Sequence, residues 1–142
     1  MPAPIAGVPL RAVVDTNVIV SGVLNPEGAP GAVLDHWARG AFEAIVCGAL
    51  LSEVARTLQK PHLRHRVTAH ERARVLRFID SNSRFVPDTP PTGTVAADPD
   101  DDYLVALART WSAALVTGDR HLLDLPGMPA IMRPSAFLRL LP

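Results

Sequence analysis

The sequence predicts an α/β fold built on a largely parallel central sheet. Two observations carry this. Short β-rich runs recur along the chain and are closed by Gly, Pro or an acid, and segments with apolar residues at helical spacing lie between them. Alternation of this kind lays strands side by side in parallel and packs helices across the sheet. A chain of 142 residues fits one domain, which buries roughly two thirds of its unfolded surface. Residues 1–142 are therefore read as a single domain with its core from about 11 to 141.

Residues 11–14 (Arg-Ala-Val-Val) form the first expected strand, ending at Asp15. Gly22, Gly28 and Gly31 surround Pro26 and Pro30 and read as a loop, without the GxGxxG or GxxxxGK[ST] spacing that cradles phosphate. A second strand is expected at 43–46, closed by Gly48. The segment 49–58 repeats apolar residues at Leu50, Leu51, Val54, Ala55 and Leu58, a helical spacing. Thr68-Ala-His-Glu71 has the capping-box form and precedes Val75, Leu76 and Ile79 on one helix face. A third strand at 84–86 is stopped by Pro87, and 87–93 reads as a loop rather than a domain linker, because the 49 residues after it are too few for a second core. A helix over 100–110 has acids in its first turn, where they complement the helix dipole. A fourth strand at 113–117, a short fifth at 130–132 and a terminal helix over 134–141 complete the expectation.

Hydrophobic residues make up 48% of the chain, in runs too short for the roughly 18–20 apolar residues that span a bilayer. The first ten residues carry prolines at 2, 4 and 9 and no basic cluster ahead of an apolar run, so they do not read as a signal peptide. A cytoplasmic protein without a membrane partner is expected. The lone cysteine, Cys47, excludes an internal disulfide and a CxxC zinc pair, and after Ala44-Ile45-Val46 it reads as a small buried hydrophobe.

The net charge is zero, with 14 basic and 14 acidic side chains, which on totals argues against a nucleic-acid binder. The charges are segregated, however. Lys60, Arg64, Arg66, Arg72, Arg74 and Arg77 share the span 60–77 with Glu71 alone as an acid, and Asp88, Asp98, Asp100, Asp101 and Asp102 share 88–102 with no base. Such asymmetry points to a polyanion or a metal as partner.

Ligand-binding groups in an open α/β sheet collect beyond the carboxyl ends of strands. Asp15 directly follows the first strand, and Asp119 follows the fourth by way of Thr117 and Gly118. Glu53 lies in the helix after the second strand, and the acids at 100–102 open the helix before the fourth. Four carboxylates distant in sequence can thus meet at one sheet edge. Clustered carboxylates repel unless protons or cations neutralise them. Hard divalent cations take oxygen ligands, and such a site can activate water for in-line displacement at phosphorus without a nucleophilic Ser or Cys. Each acid also has a plainer reading: Asp15 before Thr16-Asn17 can simply cap a helix, and 98–102 can be a solvated loop.

With Val14-Asp-Thr-Asn-Val18, Gly48-Ala-Leu-Leu-Ser-Glu53, Asp98-Pro-Asp-Asp-Asp-Tyr-Leu104 and Val116-Thr-Gly-Asp119 in this order, the chain resembles the PIN-domain family, and within it the VapC-like toxins of toxin–antitoxin systems. The resemblance covers about residues 11–141. It implies a three-layer α/β/α sandwich with a mostly parallel sheet. It also implies cleavage of single-stranded RNA that leaves a 5′-phosphate, with Mg²⁺ or Mn²⁺ in an acidic pocket. By position it makes Asp15, Glu53, Asp101 and Asp119 the metal-binding acids, with Asn17 and Thr117 in support. Asp102 is the alternative to Asp101, since consecutive helical residues point about 100° apart. A cognate antitoxin and a homodimer are the partners it suggests.

The basic residues Lys60, Arg64, Arg66 and Arg72 are candidates for RNA contact, or for a solvated face or an antitoxin surface. His62 and His65 lack further ligands at zinc spacing and read as surface residues. Trp37 and Trp111 could stack bases, but their apolar surroundings favour core packing or a dimer contact. Two other functions compete. One is a catalytically idle PIN-like domain that binds RNA or a partner, against which all four acids stand. The other is a phosphoacceptor receiver-type domain, which needs a lysine near its acids, whereas the sole lysine is Lys60.

Overall fold

The computed structural model describes residues 10–90, 102–127 and 129–142, and of Asp102 the backbone alone. Within them the chain forms β1 (Arg11–Val14), α1 (Thr16–Leu24), α2 (Ala29–Ala38), β2 (Glu43–Val46), α3 (Gly48–Leu58), α4 (Pro61–Arg64) and α5 (Ala69–Asn82). It continues with β3 (Ser83–Phe85), α6 (Asp102–Thr110), β4 (Ala114–Val116), α7 (Arg120–Leu123), β5 (Ile131–Met132) and α8 (Pro134–Leu138). The five strands lie in the order β3-β2-β1-β4-β5, and every pairing is parallel.

Ala12, Val13 and Val14 of β1 are all buried, as are Ala44, Ile45 and Val46 of β2 and Ala114, Leu115 and Val116 of β4. Because successive strand residues point to opposite faces, both faces of the sheet are covered, the usual condition of parallel sheets. The chain builds outward from β1 to β2 to β3, then returns through α6 to lay β4 and β5 on the other side of β1. Right-handed crossovers place the helices of these two excursions on opposite faces. The α6 helix packs on β1 and β4, while α1 packs on α2 and α3, and α3 on α5. The result is the three-layer α/β/α arrangement.

The strands lie within a residue of the expected positions. The capping box at Thr68 is complete: its hydroxyl accepts from the Glu71 N–H at 3.0 Å, and the Glu71 carboxylate accepts from the Thr68 N–H at 3.1 Å. The terminal helix is shorter than expected, ending at Leu138.

The segment 22–31 departs from its reading as a loop. Gly22 lies inside α1 and Gly31 inside α2, leaving only residues 25–28 as the turn. Pro30 fits because it stands in the first turn of α2, where its missing N–H is no loss. The glycines fit because there is no room beside them. A Cβ on Gly22 would lie 2.7 Å from Leu34 Cδ1 and 2.9 Å from the Pro30 carbonyl, and one on Gly31 would lie 2.1 Å from the Pro26 carbonyl.

The core is one hydrophobic cluster running through the sheet and its helices. Trp37 is buried within it, its ring 5.0 Å from that of Phe78, and Phe42 meets Phe137 edge-on at 5.0 Å. The indole N–H of Trp37 donates to the Asn82 carbonyl at 3.1 Å, so its one polar atom is satisfied. Trp111 is only partly buried. Cys47 is 1% exposed, and burial pushes its thiol up, as expected of a small hydrophobe.

At the amino end of the sheet the charges are matched. Arg11 and Glu43 face each other across β1 and β2, and Arg11 Nε donates to Glu43 Oε1 at 2.9 Å. Arg84 lies 3.5 Å from the same oxygen and stacks 4.9 Å from the Trp111 ring centre. Among the described residues no helix is long and apolar enough to cross a membrane.

Candidate functional site

At the carboxyl end of the sheet no acid is held in an ion pair among the described residues. The strand order reverses between β1 and β4, which are neighbours in register, Val14 opposite Val116. Crevices at such a reversal are where open α/β sheets bind ligands. Asp15 is the first residue beyond β1, and its N–H continues the ladder to the Val116 carbonyl at 2.9 Å. Thr117 is the first residue beyond β4. Sheet geometry alone therefore brings these two side by side across 102 residues of chain.

Asp15 is 4% exposed. It occupies the N-cap position of α1, where its side chain makes no close capping hydrogen bond, although the Asn17 N–H at the start of that helix still favours its ionised form. Its Oδ2 instead accepts from Thr117 Oγ1 at 2.7 Å. Burial raises the Asp15 carboxyl above its ordinary range; the Thr117 hydroxyl offsets part of this, and the nearby carboxylates of Glu53 and Asp119 push in the raising direction. The ionised form of Asp15 is thus disfavoured by burial and by two like charges.

Asp119 is placed by the same hydroxyl: its N–H donates to Thr117 Oγ1 at 3.0 Å. Unlike Asp15 it does cap, its Oδ1 accepting from the His121 N–H at 2.9 Å at the start of α7. Glu53 lies on α3, whose Leu50, Val54 and Leu58 are buried while Glu53 stays partly exposed at the edge of that stripe. The helix is held at its start by Asp88, whose Oδ1 accepts from the Ala49 N–H at 3.1 Å. Glu53 Oε2 in turn accepts a hydrogen bond from the phenol of Tyr103 on α6. Burial and the Glu53 carboxylate push that phenol well above its usual range, so it stays a donor.

Two clefts are lined by the acids that press on Asp15, one by Asp119 and the other by Glu53. One, of about 460 Å³, is lined by Asn17, Ser21, Gly118, Asp119 and Arg133 among others. The other, of about 600 Å³, is lined by Ser52, Glu53, Arg56, Asp88 and Tyr103 among others. Asn17 is exposed at the first cleft, one residue beyond the buried Thr16. Asp98, Asp100 and Asp101 lie outside the described residues, so the third expected acid does too. Asp102, its alternative, opens α6 but its side chain is not described. Lys60, Arg64, Arg66 and Arg72 line neither cleft, and Arg72 Nη1 donates to the Val67 carbonyl at 2.8 Å.

The all-oxygen donor set of Asp15, Glu53 and Asp119 suits a hard divalent cation. A positive charge among them would offset at once the three effects that disfavour the Asp15 carboxylate. Among the described residues no three His, Cys, Asp or Glu side chains form a complete ligand cluster. Mg²⁺ does not require one, since it commonly takes one or two carboxylates and completes its shell with water and phosphate.

Tyr103, Asp88, Arg56 and Arg133 were not singled out from the sequence. Tyr103 follows directly on the acidic run, which was the one signal available for it. Asp88 was noted only as a member of that run.

Comparison with known proteins agrees with this fold. The sequence pattern of the PIN domain matches residues 11–121. The chain is 30% identical over 118 residues to an uncharacterized Methanocaldococcus jannaschii protein, covering 82% of this chain and 75% of that one. In fold it is similar to PAE2754 of Pyrobaculum aerophilum, with a TM-score of 0.65 at 22% identity, covering 92% of this chain and 89% of that one. It is also similar in fold to a chain of the Rickettsia felis VapBC2 structure bound to a DNA fragment from their promoter, with a TM-score of 0.59 at 14% identity, covering 87% of this chain and 98% of that one.

Proposed function

This chain belongs to the PIN-domain family, whose members are generally nucleases, and we propose on that premise that it is a metal-dependent endoribonuclease acting on single-stranded RNA. The observation that carries the proposal is Asp15: a buried carboxylate at the strand-order reversal, fixed by Thr117 and pressed by Glu53 and Asp119. Burying a charge without a partner is costly, and this arrangement makes sense where a cation completes it.

Asp15, Glu53 and Asp119 would hold Mg²⁺ or Mn²⁺, with Asp101, or Asp102 in its place, as the fourth acid. The bound cation supplies a Lewis acid for the phosphate and an acidified water for in-line displacement. Thr117 sets the orientation of Asp15 through Oδ2 and of Asp119 through its backbone. Tyr103 fixes Glu53, and such outer partners orient ligands and sharpen a site. Asn17 stands at the open side of Asp15, where a substrate oxygen could meet its amide. The two clefts leave room for the strand on either side of the reacting phosphate.

We further read the protein as a toxin neutralised by a cognate antitoxin and working as a homodimer in the cytoplasm. The fold likeness to a chain of the Rickettsia felis VapBC2 structure supports the antitoxin part of this reading.

Cleavage of a labelled single-stranded RNA, with Mg²⁺, with Mn²⁺ and with EDTA, tests the nuclease. Wild type should cut with metal and not with EDTA, and Asp15→Asn should lose at least about 100-fold in rate, roughly 2.7 kcal/mol in the barrier. Equal cutting by folded Asp15→Asn would refute the assigned site. A folded wild type inert with both metals would favour an idle, binding PIN domain.

A further inference from the structure

Each of the two clefts holds one carboxylate of the site and one arginine. Asp119 and Arg133 line the first, and Glu53 and Arg56 line the second. Arg56 stands three residues after Glu53 on α3, a spacing that keeps both on one helix face. Arg133 occupies the N-cap position of α8, and its side chain makes no capping bond. Both are exposed.

Several other cations are already committed. Arg11 and Arg84 share Glu43, and Arg72 is spent on the Val67 carbonyl. Arg56 and Arg133, by contrast, have no ion pair or side-chain hydrogen bond among the described residues, although each shares its cleft with an acid. Their guanidinium groups keep their full set of donors, whose planar fork matches phosphate oxygens. The cleft beside Arg133 is open at Gly118, where an added Cβ would meet nothing within 4 Å.

We infer that Arg56 and Arg133 grip the phosphates on either side of the scissile one, so that a single strand crosses the Asp15 centre from one cleft to the other. The inference rests on the nuclease reading and adds to it the binding track. It also accounts for substrate binding by a chain of zero net charge. Unpaired cations at its flanks would lessen the repulsion between a polyanion and the acidic centre.

The test uses a fluorescein-labelled, random-sequence, single-stranded RNA with Mn²⁺, followed for cleavage and, by anisotropy, for binding across a salt series. Arg56→Ala and Arg133→Ala should each raise KM about tenfold with kcat within about twofold. Each should also flatten the plot of log affinity against log salt by about 0.7, the share of one phosphate contact on a single strand. Arg56→Lys and Arg133→Lys should restore the salt slope, because the charge is kept. Arg39→Ala, at a residue lining neither cleft, should match wild type. Active alanine variants with the KM and slope of wild type would overturn the track and leave the nuclease standing. An effect at one arginine alone would overturn the two-sided grip, and lysine variants as impaired as alanine would make the role structural. A folded wild type that neither binds nor cuts this RNA would overturn the nuclease reading and the track together.

Discussion

Thr117 Oγ1 lies 2.7 Å from Asp15 Oδ2, and the same oxygen receives the Asp119 N–H at 3.0 Å. One hydroxyl therefore couples two acids that stand beyond neighbouring strands. It donates to one and accepts from the other, so both of its hydrogen-bonding capacities are used. Removing it should loosen both carboxylates without emptying the core.

Thr117→Val keeps the shape of the side chain and deletes the hydroxyl. Loss of a partner that orients a ligand typically costs 10–100-fold in metal affinity or activity, and a loss of about that size is expected here with circular dichroism unchanged. Thr117→Ser should stay near wild type. Wild-type rates in Thr117→Val would show that the hydroxyl does not position the acids.

Asp15→Asn should abolish stabilisation by metal. At a metal concentration tenfold above Kd, binding to the native state adds about 1.4 kcal/mol, worth roughly 3–6 °C in Tm for a domain of this size. Wild type should rise by that amount on adding Mn²⁺ and the variant should not. Equal rises in both proteins would place the cation elsewhere.

The metal-free proteins should differ in their response to pH. Burial first, then the nearby acids, hold the folded Asp15 carboxyl above its ordinary value of 3.8. A raised folded pKa favours the native state while the group is protonated, and that advantage is lost as pH climbs from the unfolded value through the folded one. In EDTA, wild type should therefore lose stability relative to Asp15→Asn as pH rises above about 3.8. Thermal melts at a series of pH values would check this, and a wild type that gains stability relative to the variant as pH rises would contradict it.

Gly31→Ala sets two effects against each other. Helix propensity alone favours alanine by about 1 kcal/mol. The added Cβ, however, would stand 2.1 Å from the Pro26 carbonyl, and overpacking costs roughly 1–3 kcal/mol or more. Sterics should win, with a net loss of about 1–2 kcal/mol in urea unfolding. A gain in stability would show that the 25–28 turn yields easily.

The same glycines show what local reading misses. Gly and Pro punctuate structure by their own backbone preferences, so Gly22, Pro26, Gly28, Pro30 and Gly31 in succession read as a loop. The deciding fact was the close approach of α1 and α2, which no local window contains. Asp15, Thr117 and Asp119 were legible because a strand's carboxyl end is visible in the sequence and parallel strands align such ends. Tyr103 was not, because it meets Glu53 through the packing of α6 and α3, 50 residues apart. The choice between Asp101 and Asp102 was equally beyond spacing, since the two are adjacent in the sequence.

The Arg11–Glu43–Arg84 cluster gives the molecule a quiet end. Along β1 the path from Arg11 to Asp15 is about 13 Å at the rise of an extended strand. A fluorophore, affinity handle or surface tether attached at the Leu10 side chain would therefore start at the other end of β1 from Asp15. Immobilised or single-molecule assays built that way would leave both clefts facing solution.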